Sequence, residues 1–255
     1  MKFDSAHSIL TTRRSQRRQE TLIALATGFL ALSTAALLIA WAGGFGWGLL
    51  LGAILPFTAI AVIVAGKIEQ YHPHEHFGAA NVVTLTRAVI NCLLIGLLVE
   101  YRTLFASWGD WADWLFLAAA LVSLGLDGID GLLARRQNLA SRFGARFDVE
   151  IDALLLSLLA IAAYALGKVG LWVVLIGATY YIFMGARQLL PWLRRDLPHS
   201  MRRKAVCVMQ GFVLIALVTP FIDGIVASLL AASALVALAL SFGIDIVWLA
   251  RRRRA

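Results

Sequence analysis

Apolar runs of about 20 residues recur along this chain, each long enough to cross a hydrocarbon core of about 30 Å as a helix. Within lipid every backbone polar group must find its partner inside the protein, so runs of this kind are read as helices. Eight are expected, at roughly 21–42, 46–66, 80–99, 111–134, 148–166, 170–187, 205–222 and 225–249. Composition supports the reading. The 255 residues are 60% hydrophobic and 15% charged, where a soluble domain carries about 25% charged residues. The expected fold is therefore all-α: a polytopic transmembrane bundle with a six-helix core preceded by a two-helix hairpin. The division is a basic tail over 1–20, the hairpin and a His-containing loop over 21–79, and the core over 80–255.

The formal charge of +8 does not point to nucleic acid, because the basic residues sit in short clusters between apolar runs. With both ends and every second loop on the cytoplasmic side, all of the 23 Lys and Arg except Arg102 and Lys168 fall on that side. This is the positive-inside bias of a chain with an even number of spans. Trp108, Trp111 and Trp114 fall at the opposite boundary, where amphipathic rings are favoured. The first run follows Arg13, Arg14, Arg17 and Arg18 without a small-residue cleavage site, and is expected to stay as an uncleaved anchor. Cys92 and Cys207 lie inside apolar runs and are read as packing or lipid-facing residues.

The chemistry is concentrated in Asp127-Gly128-Ile129-Asp130-Gly131-Leu132-Leu133-Ala134-Arg135, followed by Gly144, Asp148 and Asp152. Asp127 and Asp130 share one helix face at i, i+3, as do Asp148 and Asp152 at i, i+4. A short connection makes the two helices antiparallel neighbours and brings the four carboxylates together. A carboxylate at mid-membrane depth costs about 2.5–3.5 kcal/mol on insertion scales, and like charges add repulsion. A cation must offset that cost. Oxygen ligands without Cys or His beside them suit Mg²⁺, Mn²⁺ or Ca²⁺ rather than zinc. Four carboxylates can hold a pair of ions about 4 Å apart, the arrangement that clamps phosphoryl oxygens during in-line displacement.

The pattern D-x-x-D-G-x-x-A-R, eight residues, G-x-x-x-D-x-x-x-D resembles the signature of the CDP-alcohol phosphotransferases (CDP-alcohol phosphatidyltransferases) at every fixed position, from Asp127 to Asp152. The resemblance implies a metal site of Asp127, Asp130, Asp148 and Asp152, holding two Mg²⁺ or Mn²⁺ ions, with Asp152 also the general base. It implies a nucleotide site that includes Gly131, Ala134, Arg135 and Gly144. Asn81, Thr84 and Arg87 resemble the family's P-N-x-x-T-x-x-R helix entrance, with Ala80 in place of the Pro, and are implied as further nucleotide contacts. Asn81 alternatively reads as a helix N-cap. A homodimer is implied as well.

Together these readings predict a phospholipid-synthesis enzyme of the bacterial inner membrane, with its active site on the cytoplasmic side. It would move a phosphatidyl group from CDP-diacylglycerol to a polar alcohol, releasing CMP. A phosphorylated acceptor such as glycerol 3-phosphate is expected because Arg194, Arg195, Arg202, Arg203 and Lys204 cluster in one loop and the helix entrance after it, and Arg grips phosphate bidentately. The alternatives are transfer from a CDP-linked head-group alcohol, an unphosphorylated acceptor such as serine or inositol, and, in a different class, a cation or proton transporter with intramembrane carboxylates. His72, His74 and His76 read as an interfacial loop, Glu150 as lying off the carboxylate face, and Asp245 as paired with a basic residue of a neighbouring helix end.

Overall fold

A computed structural model describes residues 2–72, 74, 76–109, 111–137, 141–195, 197–198 and 200–252; the side chains of 2–14, 70 and 129–137 lie outside that description. The described residues form helices and no strand. In order these are α1 (Lys2–Gly43), α2 (Trp47–Tyr71), α3 (Ala79–Val99), α4 (Tyr101–Trp108), α5 (Trp111–Gln137), α6 (Arg142–Ala165), α7 (Val174–Leu189), α8 (Met201–Leu217) and α9 (Gly224–Arg251), with short 3-10 turns before and after α7. All eight expected helices are present. Five helices are long and apolar enough to cross a membrane, within α1, α2, α3, α5 and α9. The protein is an integral membrane protein built as a helical bundle.

Two features differ from the sequence expectation. First, α1 runs back through the basic tail to Lys2, where Arg, Gln and Glu are good helix formers and no Gly or Pro interrupts. Second, α4 occupies what was expected to be a loop. It is anchored by the fully buried Leu104 and by the Tyr101 hydroxyl, which donates to Asp113 Oδ1 at 2.8 Å. It stops at Gly109, whose φ of 55° is the conformation that glycine adopts without strain.

The chain divides into two compact units, residues 1–152 and 153–255. In the first, α3 packs against α1, α2 and α5 and is the most buried of the apolar helices. Its contact with α2 depends on small residues. A Cβ on Gly96 would lie 2.5 Å from the carbonyl oxygen of Leu49 and 3.1 Å from the Cβ of Ala53, and one on Gly52 would lie 3.0 Å from the Cα of Gly96. Such close backbone approach is how helices gain dispersion contacts where lipid offers no hydrophobic drive.

In the second unit α8 packs on α9, and the buried Gln210 donates to the carbonyl of Ala234 at 2.8 Å. Gly177 of α7 sits against Ser157 of α6, where a Cβ would come within 2.3 Å of the Ser157 Cα. Asp245, 7% exposed, accepts from Arg202 Nη2 at 2.5 Å, and Arg202 Nη1 also donates to the Ser241 hydroxyl at 3.1 Å. The partner expected for Asp245 is therefore Arg202, at the start of α8.

Candidate active site

The first unit brings a charged cluster to the point where α3, α5 and α6 meet. Asp127 lies toward the end of α5, and Asp148 and Asp152 lie on successive turns of α6. One carboxylate oxygen from each of the three lies within 4.8 Å of the others. Their side chains are 37%, 35% and 26% exposed, so the cluster opens to its surroundings. Asp130 follows Asp127 by three residues on α5 and so shares its face, but its side chain lies outside the described residues, as do those of Ala134 and Arg135 and the surroundings of Gly131.

Arg87 of α3 holds these carboxylates together. It is fully buried. Nη1 lies 3.0 Å from Asp127 Oδ1 and 2.7 Å from Asp148 Oδ1, Nη2 pairs with Asp152 Oδ1, and Nε donates to the Ser123 carbonyl at 3.1 Å. The planar fork of a guanidinium suits this task, since it presents several donors in fixed directions. One turn along α3, Asn91 Nδ2 donates to the Ile151 carbonyl at 3.2 Å, while its Oδ1 accepts from the Ser123 hydroxyl at 2.7 Å. A polar strip on α3 thus fastens α5 and α6 at the level of the carboxylates. Sequence reasoning missed Asn91 and Ser123; the available signal was an amide one helical turn from Arg87 inside an apolar run.

Hard oxygen donors and partial exposure fit a divalent cation. The donors present are Asp127, Asp148 and Asp152, with Asp130 adjacent in sequence.

Asn81 and Thr84 are buried on the first turns of α3. The Asn81 amide donates back to the Phe77 carbonyl at 2.5 Å, and the Thr84 hydroxyl donates to the Ala80 carbonyl at 3.1 Å. Asn81 is not the N-cap, because Gly78 precedes the first helical residue and φ there is 85°. Gly144 faces Asn81 across the site's edge, and a Cβ there would lie 2.9 Å from Asn81 Oδ1. The amide of Gly144 donates to Ser141 Oγ at 2.9 Å, the bond an N-cap serine makes to the third helical residue. Glu150 lies away from the cluster, 3.8 Å from Arg146.

In the second unit Arg194 donates to the carbonyls of Arg187 and Gln188, and Arg195 to that of Arg252. Arg203 donates to the Pro198 carbonyl and lies 3.4 Å from Asp245. Lys204 is exposed.

Residues 77–244 match the family described as CDP-alcohol phosphatidyltransferase, a stretch that begins before α3 and contains the whole cluster. The chain belongs to that family. Among curated proteins and solved structures, none matches it. As a member, this CDP-alcohol phosphatidyltransferase is a membrane transferase of phospholipid biosynthesis, acting on a CDP-alcohol and an alcohol acceptor in a generally metal-dependent reaction. The transporter alternative gives way to it. The matched stretch excludes α1 and α2.

Proposed function

We propose that the protein transfers the phosphatidyl group of CDP-diacylglycerol to a phosphorylated polyol such as glycerol 3-phosphate, with release of CMP. The observation that carries the transfer is the convergence of Asp127, Asp148 and Asp152 on one point within 4.8 Å. Asp130 completes the set, and Mg²⁺ or Mn²⁺ is the resident ion, in two copies. A divalent cation held there neutralises charge on the pyrophosphate and on the departing CMP.

The chain's own residues do the rest. Asp152 accepts the proton of the acceptor hydroxyl. The oxygen so freed forms a bond to the phosphorus bearing the lipid as that phosphorus loses its bridging oxygen to CMP. Arg87 orients Asp152 through its guanidinium, which pairs with one carboxylate oxygen. Asn81, Thr84, Gly131, Ala134, Arg135 and Gly144 surround the cytidine diphosphate, with Arg87 behind them holding the carboxylates; Gly144 lets Asn81 pack against the start of α6 because it lacks a side chain. Arg194, Arg195, Arg202, Arg203 and Lys204 supply the positive surface from which an anionic acceptor enters. The active form is a homodimer in the bacterial inner membrane.

The test is CMP release by purified protein from CDP-diacylglycerol across a panel of acceptors. Single Asp→Asn changes at 127, 130, 148 and 152, and excess chelator, should each reduce it by about a hundredfold or more. Normal turnover in any of the four variants removes that residue from the site.

A further inference from the structure

We infer that His72 is a positioning residue for the carboxylate cluster, fixing the first turn of α6 through Ser141 while being fixed itself by Arg17 of α1. The inference rests on the metal-site reading above. It extends the working site to a helical hairpin outside the stretch that matches the family.

His72 stands just past the end of α2 and is 2% exposed. Both ring nitrogens are engaged: Nε2 lies 2.8 Å from the His76 carbonyl oxygen and Nδ1 lies 2.8 Å from Ser141 Oγ. A carbonyl only accepts, so Nε2 carries the proton. In the neutral ring Nδ1 then accepts from the Ser141 hydroxyl, and Ser141 Oγ is left to accept the Gly144 amide at 2.9 Å. The whole chain of bonds has one consistent direction. Protonation of the ring would place a second donor at Nδ1 and require the Ser141 hydroxyl to turn away.

The other end of the chain is anchored in the hairpin. Arg17, itself buried, donates from Nη1 to the His72 carbonyl at 2.6 Å and to the His74 carbonyl at 3.3 Å. Glu20, one turn further along α1, accepts from the Phe77 amide at 3.0 Å and meets His76 Nδ1 at 2.7 Å. Among the described residues the charged and titratable groups facing His72 are Arg17 and His74, with the Glu20–His76 pair beyond them.

The site end matters because Gly144 is one turn before Asp148 and two before Asp152. Gly144 also lies against Asn81, and the His72 ring meets the buried Phe143 edge-on at 6.0 Å between centroids. A rotation of this first turn moves both carboxylates relative to Arg87. Packing alone would be served by an apolar residue; a buried imidazole with two aligned partners sets direction as well as space.

The experiment uses the full-length protein in detergent and two readouts that need no turnover: Mn²⁺ binding followed by electron paramagnetic resonance, and hydrogen exchange of the segment 141–148. His72→Phe keeps a ring against Phe143 but removes both hydrogen bonds, whereas His72→Asn retains an acceptor near the position of Nδ1. His72→Phe and Ser141→Ala should each weaken Mn²⁺ binding about fivefold, the effect of one lost net hydrogen bond, and speed exchange in 141–148. The double variant should be no worse than either, and His72→Asn should recover most of the loss. Wild-type Mn²⁺ affinity and exchange in His72→Phe or Ser141→Ala overturns the inference. If His72→Phe does not fold, Ser141→Ala decides alone, since it removes one half-buried hydroxyl. A wild-type protein that binds Mn²⁺ but releases no CMP would sink the transfer reading and leave this test standing; a wild-type protein that binds no Mn²⁺ would sink both.

Discussion

Arg87 Nη1 and Asp148 Oδ1 lie 2.7 Å apart, joining a fully buried cation to a carboxylate that is one-third exposed. The asymmetry sets their roles. The arginine is sealed behind the site as a fixed counter-charge, and the carboxylate remains partly open to its surroundings. Removing the arginine takes its positive charge away from three aspartates whose oxygens lie within 4.8 Å of one another. Arg87→Gln should therefore destabilise the protein by about 2–3 kcal/mol, below the 3–5 of a fully buried pair because the carboxylates reach solvent. Thermal unfolding should show the loss to be larger in chelator than in excess Mg²⁺, which binds the folded state and replaces part of the missing charge. Equal losses in both conditions would mean that no cation shares the cluster with Arg87.

Gly96 and Gly66 make a controlled pair. A Cβ on Gly96 would meet the Leu49 carbonyl oxygen at 2.5 Å, an atom of the backbone that cannot swing aside, whereas one on Gly66 meets nothing within 4 Å. Gly96→Ala should cost about 1–3 kcal/mol by forcing α2 and α3 apart. Gly66→Ala should be neutral or stabilising by up to about 1 kcal/mol. Denaturation of the two variants in the same detergent compares them directly. A Gly96→Ala protein as stable as wild type would show that the α2–α3 contact is looser than its geometry.

His72 gives a pH dependence whose sign can be worked out. Burial holds its imidazole below the ordinary value of 6.5, helped by nearby His74 and Arg17, although the bond to the His76 carbonyl acts the other way. The unfolded chain thus takes up a proton on this residue before the folded one does. Stability from His72 is complete above 6.5 and is lost as pH falls from there through the lower folded value. The wild type should lose unfolding temperature below pH 6.5 more steeply than His72→Asn. Parallel curves for the two proteins would rule out that contribution.

Much of this fold was legible because its elements are long apolar runs with basic interruptions, and periodicity locates such runs without any tertiary information. The aspartates were legible for a related reason: i, i+3 and i, i+4 spacing is local, so Asp127 with Asp130 and Asp148 with Asp152 share faces whatever surrounds them. Arg87 was named from its helix-entrance pattern, but its pairing with aspartates 40 to 65 residues away was not. Neither was the bond between His72 and Ser141, 69 residues apart. Arg17 was counted only as topological charge, although the fold buries it. Contacts set by how helices pack have no short-range signature, and α4 escaped notice because eight residues are too few for a periodic signal.

The orientation expected from the basic clusters can be checked with single cysteines. Asn138 lies between α5 and α6 in sequence, outside the described residues, and Ser107 is exposed near the end of α4. Asn138→Cys and Ser107→Cys should label from opposite faces of sealed membranes. The background must lack Cys207, which is exposed, and Cys92, which is buried. Labelling of both positions from one face would overturn an even number of spans with both ends in the cytoplasm.

The acceptor prediction separates charges that hold the fold from charges free to meet substrate. Arg202 is committed to Asp245 and Ser241, and its removal would leave a carboxylate that is 7% exposed with, among the described residues, Arg203 at 3.4 Å. Arg202→Gln should therefore lower stability, and any loss of activity it causes should follow that. Lys204 is exposed on the same turn of α8. Lys204→Gln should leave unfolding unchanged while raising the acceptor KM about fivefold or more, with kcat and the KM for CDP-diacylglycerol little altered, the pattern of a lost ground-state phosphate contact. Arg203, shared between Asp245 and the Pro198 carbonyl, should show both effects. A neutral acceptor has no phosphate for these side chains to hold, so a dephosphorylated substrate should react slowly in the wild type and be insensitive to Lys204→Gln. Faster CMP release with free glycerol, serine or inositol than with the corresponding phosphate ester would exclude a phosphorylated acceptor, and the basic entrance of α8 would then serve topology and anionic headgroups alone.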